Sequence, residues 1–162
     1  MLRIGDLLVQ QGMLTTDQRD EIVAHQQTRA RPFGVLAEEL FGLAPESLDR
    51  AWAAQLAYYA PRVNPTAEAV DSTVQALVNR RQAWQFKVLP LRRGPDGVLL
   101  ATAQRHLPRA LRYVNRSIAE DCALVLCDEH LLLDALEKFY PMPGAREHAM
   151  AQHAPTMLAT SW

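Results

Sequence analysis

RIGDLLVQQGMLTTDQRDEIVAHQ (Arg3–Gln26) and PFGVLAEELFGLAPESLDRAWAAQ (Pro32–Gln55) are two versions of one pattern, offset by 29 residues. The offset lays Ile4 on Phe33, Gly5 on Gly34, Leu7 on Leu36, Leu14 on Leu43, Val23 on Trp52 and Gln26 on Gln55. Each unit reads as a short helix, a glycine-marked turn and a longer helix. In the first unit Gly12 stops a helix, because glycine enters the left-handed region without a steric penalty. Thr15 then offers an N-cap oxygen, with Gln18 three residues on, the layout of a capping box. In the second unit Gly42 is the stop and Pro45 suits the first position of a new helix. A lone helical hairpin cannot bury its apolar stripe. The two are therefore expected to pack as a four-helix subdomain over residues 1–60, with a shared groove at their glycine-bearing ends.

Beyond a linker marked by Pro61 and Pro65 the periodicity changes. Residues 67–83 read as a helix through Val70, Val74, Leu77 and Val78, and residues 85–91 alternate as a strand. Gly94-Pro95-Asp96-Gly97 is a turn into a second strand, 98–103, which completes a hairpin. A helix over 108–119, a strand over 122–127 and a helix over 130–140 follow. The order α-β-β-α-β-α predicts a small sandwich over residues 61–141, with helices on one side of the sheet. The whole chain is then α+β. The stretch 142–162, rich in Ala, Pro, His and Met, is expected to be a largely disordered tail.

Composition sets the outer bounds. Of 162 residues 49% are hydrophobic, enough for a core, and a formal net charge of −1 excludes whole-molecule attraction to nucleic acid or membrane. No apolar run approaches the ~20 residues that span a bilayer, and Asp6 interrupts the start of the chain where a secretory signal would be apolar. A cytoplasmic location without membrane insertion is expected. Cys122 and Cys127 lie an odd number of residues apart on one strand, so their thiols point to opposite faces and do not pair. The histidines lack the helical i, i+4 spacing of a zinc site, and no phosphate-binding loop, nucleophile elbow or dinucleotide fingerprint is present. Neither metal, cofactor nor enzymatic activity is expected.

The segment Arg3-Ile4-Gly5-x-x-Leu8-Val9-x-x-Gly12-Met13-Leu14, closing at Val23-x-x-Gln26, resembles the 24-residue motif of the MshEN family, the N-terminal domain of secretion and pilus-extension ATPases. Two such motifs separated by a five-residue spacer mark that family, and Gln27–Arg31 is that spacer here. An Arg-Arg-x₃-Phe-Lys-Val-Leu-Pro-Leu stretch, a strand ending Ala101-Thr102-Ala103 and a closing Leu-Glu-Lys-Phe-Tyr extend the resemblance over residues 2–141. The ATPase that normally follows is absent from this sequence.

What the resemblance implies is binding of cyclic di-GMP by the paired motifs, in a regulatory domain of type II secretion or type IV pilus machinery. The matching residues are Arg3, Ile4, Gly5, Asp6, Gly12, Val23 and Gln26 in the first motif. In the second they are Phe33, Gly34, Leu48, Trp52 and Gln55, with Arg31 as a neighbouring guanidinium. The chemistry fits: guanine O6 and N7 accept a guanidinium fork, glycines admit close backbone approach, and apolar side chains flank flat bases. The second motif departs from the family. Pro32 stands where arginine is usual and Phe41 where glycine is; in the first motif, Arg19 stands where an apolar residue is usual. The alternative is a protein–protein adaptor with a decayed nucleotide site, docking on a secretion or pilus ATPase, a platform protein or a membrane glycosyltransferase.

One further pattern stands apart. Arg80, Arg81, Lys87, Arg92, Arg93, Arg105, Arg109, Arg112 and Arg116 form a basic stretch opposed locally by Asp96 alone. It lacks the interleaved aromatics of single-strand binders, so a protein partner is preferred to nucleic acid.

Overall fold

The computed structural model describes residues 3–95 and 97–152. Both repeats form as expected. Helices α1 (Ile4–Gln10) and α2 (Thr16–Arg29) make the first hairpin, α3 (Phe33–Phe41) and α4 (Pro45–Tyr59) the second. Gly12 and Gly42 adopt φ of 72° and 67°, and Thr15 and Gln18 complete the reciprocal capping box. Helix α1 packs on α4, and α2 on α3, so the hairpins interlock.

The second half departs from the sequence reading at three places along the chain and in how its sheet is covered. Residues 67–83 are not one helix. Asp71 caps a single turn, α5 (Ser72–Gln75), and Asn79 forms a capping box with Gln82 to start α6 (Arg80–Phe86). Short polar side chains that satisfy a new helix's first N–H groups outweigh the apolar period running through them. Because α6 continues to Phe86, the first strand begins later than expected, β1 being Leu89–Gly94. A bulge between Pro90 and Arg92 leaves the Leu91 carbonyl to accept from the Asp71 N–H at 2.7 Å. Finally, the stretch expected as a tail contains helix α9 (Ala145–Ala151). Ala145 and Ala149 are buried, and Arg146 pairs with Asp134 and Glu137 of α8 (Glu129–Phe139). Residues 153–162 lie outside the described ones.

The sheet has the order β1-β2-β3, with β2 (Gly97–Ala103) antiparallel to β1 and parallel to β3 (Cys122–Cys127). Helix α7 (Leu107–Ser117) makes the crossover between the parallel pair. Alternate residues of a strand face opposite sides of a sheet, yet all of β3 and Val98–Ala103 of β2 are buried. The sheet is therefore covered on both faces, not on one. One apolar core runs from Leu7 to Ala149. Cys122 and Cys127 are free and buried; burial pushes both thiols up, Cys127 to about 12.

Strand β3 is an edge strand without an open edge. Arg3 bridges Ala123 antiparallel on one side of α1, and Arg62, just past α4, bridges Leu126. The second contact is a reciprocal pair, Val63 N–H to Leu126 O and Leu126 N–H to Pro61 O, each 2.8 Å. Both ends of the paired repeats are thus sewn to the same strand, the covering that sheet edges require.

Where α4 meets α7, Asp49 is buried and its carboxylate accepts from Arg112 Nε at 3.3 Å. Desolvation raises its pKa despite the pairing with Arg112. A carboxyl with a raised folded-state pKa stabilises most when protonated, below the unfolded value, and loses that contribution as pH rises through the folded pKa. Asp49→Asn, which copies the protonated form, is expected to unfold at a higher temperature than the wild type at pH 7. The gap should close as pH falls towards 3.8, and melting curves over that range check it. A variant less stable at pH 7 would show that the Arg112 pairing outweighs desolvation.

Candidate functional site

Arg3 and Arg19 close on one carboxylate. Asp6 Oδ1 lies 2.6 Å from Arg19 Nη1, and its Oδ2 accepts from Arg3 Nε at 3.3 Å and from the Arg3 backbone N–H at 3.2 Å. Burial acts to raise the Asp6 pKa, but the Arg3 N–H, the Arg3 guanidinium and Arg19 together hold it below the usual carboxylate range. Arg19, which the sequence marks as a departure from the motif, is therefore half of a clamp. Arg3 also reaches Asp121 Oδ2 at 3.5 Å, in the loop that leads into β3.

The two motif glycines serve packing between elements. A Cβ on Gly34 would meet Asn115 Cβ at 2.9 Å and the Asn115 carbonyl oxygen at 3.0 Å, so this glycine seats α3 against α7. A Cβ on Gly5 would meet Arg19 Cγ at 2.9 Å and the Phe33 ring at 3.0 Å, which brings the two motifs together at their starts. Gly12, by contrast, is exposed with open space around it. Phe33 and Trp52 are buried in the core, Trp52 completely. Arg31, placed to replace the missing arginine of the second motif, is instead bound to Glu39 at 2.6 Å. The side chains of Ile4, Leu48 and Gln55 lie outside the described ones.

A cleft of 610 Å³ opens where the C-terminal end of α2 faces the β1–β2 hairpin and the loop from α7 to β3. Volumes of about 300–1,000 Å³ accommodate small-molecule ligands. Val23 and Gln26 of the first motif line it, together with Arg93, Ile118, Glu120 and Asp121. Gln26 is buried; its Nε2 donates to the Arg31 carbonyl at 3.2 Å, and its Oε1 has no hydrogen-bond partner among the described residues. Arg93 makes a two-pronged pair with Glu120, at 2.9 and 2.7 Å, across the rim. Through Asp121, which also holds Arg3, the first motif is joined to the cleft.

The location differs from the groove expected between the glycine-bearing ends. Of the ten residues singled out from the motifs whose side chains are described, only Val23 and Gln26 line this cleft. The 117–121 wall carried no signal in the repeat. The nearest clue was Gly97 in the turn, whose φ of 96° and contact with Asp121 set the hairpin against that loop.

Paired helical hairpins stitched to a covered three-stranded sheet, with a cleft at the seam, define a small α+β binding domain. The MshEN domain model matches residues 58–146, more than half of the chain, and the chain belongs to the MshEN domain family. That match covers the sheet-bearing half and does not extend over the repeats at 3–26 and 32–55. No curated protein matches the chain. Among solved structures, one described as MshE with cdg aligns over 86% of this chain and 100% of its own, at 23% identity and a TM-score of 0.43. No helix among the described residues is long and apolar enough to cross a membrane.

Proposed function

We propose that this MshEN domain is a cyclic di-GMP-binding regulatory module of a type II secretion or type IV pilus machine. The observation that carries the reading is the joining of the nearly complete first motif to the cleft, through the Arg3–Asp121 contact and through Val23 and Gln26. Arg3, with a side chain 31% exposed, keeps Nε on Asp6 and presents its two terminal nitrogens to guanine O6 and N7 by exchanging its long 3.5 Å contact with Asp121 for the base. Val23 and Ile118 present apolar surface to a base, and Gln26 Oε1 is an acceptor for a base N–H. The second motif contributes differently: Phe33, Gly34 and Trp52 hold the bundle together.

A second reading, a protein adaptor with a decayed nucleotide site, is favoured by Arg31. Its guanidinium is committed to Glu39 and leaves the second motif without a free fork.

Calorimetric titration with cyclic di-GMP separates the two. Arg3→Lys keeps the charge facing Asp6 and Asp121 but removes the planar fork. It is expected to melt with the wild type and to bind about tenfold more weakly or worse, the loss of one charge-assisted bidentate contact. Heat-silent titration of the wild type leaves the adaptor. Equal affinity in Arg3→Lys removes the fork from the site.

A further inference from the structure

Of the nine basic residues from Arg80 to Arg116, Arg80 donates to the Pro141 carbonyl at 3.1 Å and, like Arg116, lines neither of the hollows described below; the other seven sort into two populations. Arg92, Arg93 and Arg112 face Glu68, Glu120 and Asp49 at 2.6, 2.7 and 3.3 Å. Arg105 stands 3.7 Å from Glu129. Arg81, Lys87 and Arg109 have no ion pair among the described residues, and what bonds Lys87 and Arg109 make go to backbone carbonyls. Lys87 Nζ donates to the Trp84 carbonyl, and Arg109 Nη1 donates to the Gln85 carbonyl at 3.3 Å.

These three cations share one concave place. Two adjoining hollows, of 240 and 450 Å³, have Lys87, Arg109 and Gln152 in common; Arg81 lines the first and Arg105 the second. Helix α9 supplies Ala145 and His148 to the first wall. The N-terminal turn of α7 supplies Pro108 and Arg109 to the second. That turn carries no acidic residue, and its N-cap, His106, makes no side-chain capping bond. A helix N-terminus is the positive end of its dipole and is stabilised by anions, whereas cations there are unfavourable. Glu129, held by Arg105 at 3.7 Å and His106 at 3.0 Å, offsets this charge in part, and the three cations without an ion pair of their own still repel one another unless a further anion joins them.

Lys87 adds an independent sign. It is 6% exposed, and with Ala30 it is one of two non-glycine residues with positive φ among the described ones, at 53°. Glycine or asparagine occupies this position after a helix at lower cost. Thr102 Oγ1 fixes the Lys87 carbonyl at 2.8 Å, which holds the residue in its unusual conformation. Burial and then the nearby Arg109 depress the Lys87 pKa, with Glu129 opposing them only in part. A lysine retained in a buried, left-handed position beside another cation is the kind of local cost that collects at ligand sites.

We propose that Lys87, Arg109 and Arg81 form a phosphoryl-anion site, separate from the α2–β hairpin cleft, whose two adjoining lobes leave room for a diphosphate and for the group that carries it. Its ligand is either free pyrophosphate-type anion or the diphosphate of a nucleotide; the chemistry recognised is the same.

The test is thermal unfolding and calorimetry of the whole chain with inorganic pyrophosphate, against sulfate at matched ionic strength. Pyrophosphate is expected to raise the melting temperature saturably and sulfate to do much less. Lys87→Asn, which suits positive φ, and Arg109→Gln, at an exposed position, are both expected to fold. Each should weaken pyrophosphate about tenfold. Arg92→Gln, whose cation already has a carboxylate, is expected to bind like the wild type. Tighter binding of ADP than of pyrophosphate assigns the ligand to nucleotides, and equal binding assigns it to the free anion. Sulfate matching pyrophosphate, affinity unchanged in Lys87→Asn and Arg109→Gln, or no saturable response overturns the site.

Discussion

Gly97→Ala is expected to cost about 3 kcal/mol or more in folding free energy, the order set by a forced backbone shift at a strained position. A Cβ there would lie 2.1 Å from the Asp121 carbonyl oxygen and 2.6 Å from its carbon. Both are backbone atoms, so no rotamer change relieves the clash. The φ of 96° is closed to L side chains as well. The same Asp121 carbonyl accepts the Val98 N–H at 2.8 Å, where β2 enters its pairing with β3. Relief of the clash would therefore break the first rung of the parallel ladder and shift the loop that holds Arg3. Gly94→Ala, with nothing within 4 Å of its added methyl, is the control and is expected to stay within about 0.5 kcal/mol. Chemical denaturation of the pair decides: equal midpoints would mean that the hairpin does not need to approach the loop this closely.

Trp52→Ala is the second large effect, expected at about 3–5 kcal/mol, as for a large aromatic removed from a packed core. Trp52 is fully buried, yet its Nε1–H has no hydrogen-bond partner among the described residues. An orphan donor carries a desolvation cost that phenylalanine lacks, and this offsets part of the lost packing. Trp52→Phe is accordingly expected within about 1.5 kcal/mol of the wild type, the range of near-isosteric core exchanges. A small loss in Trp52→Ala would place the ring at a surface and return it to the set of base-stacking candidates. The repeat makes the contrast sharp. Trp52 and Val23 occupy equivalent positions, but α3 and α4 are packed on α7 while α2 borders the open cleft.

That contrast also shows what could be read from the chain. Gly12, Gly42, Pro45 and the Thr15–Gln18 box act within a few residues of their own position, and each element they delimit was legible. The α+β class followed from the same local signals. Asp71 and Asn79 carried equally local information, but the apolar period through residues 67–83 concealed them. The environment of each repeat was not legible, because it depends on α7 and on the 117–121 loop, about a hundred residues from the first motif. Gly34 against Asn115, Gly97 against Asp121, and Arg31 against Glu39 are pairings across turns or across the whole fold. Sequence spacing ranks a glycine as a turn or a ligand contact; only the partner shows that it is a seat for another backbone. Helix α9 was missed for the same reason: a short run around two buried alanines has little period of its own and is fixed by Arg146 reaching α8.

The stitching of residues 3 and 61–63 to β3 has a mechanical corollary. Helical repeats anchored at entry and exit along a single line cannot swing on a flexible joint; they turn about that line or they come off it. Coming off strips the strand of its partners at Ala123 and Leu126. The backbone groups laid bare are of the kind that recruit a strand from another chain. In this molecule, then, displacement of the repeats and creation of an adhesive edge are one event.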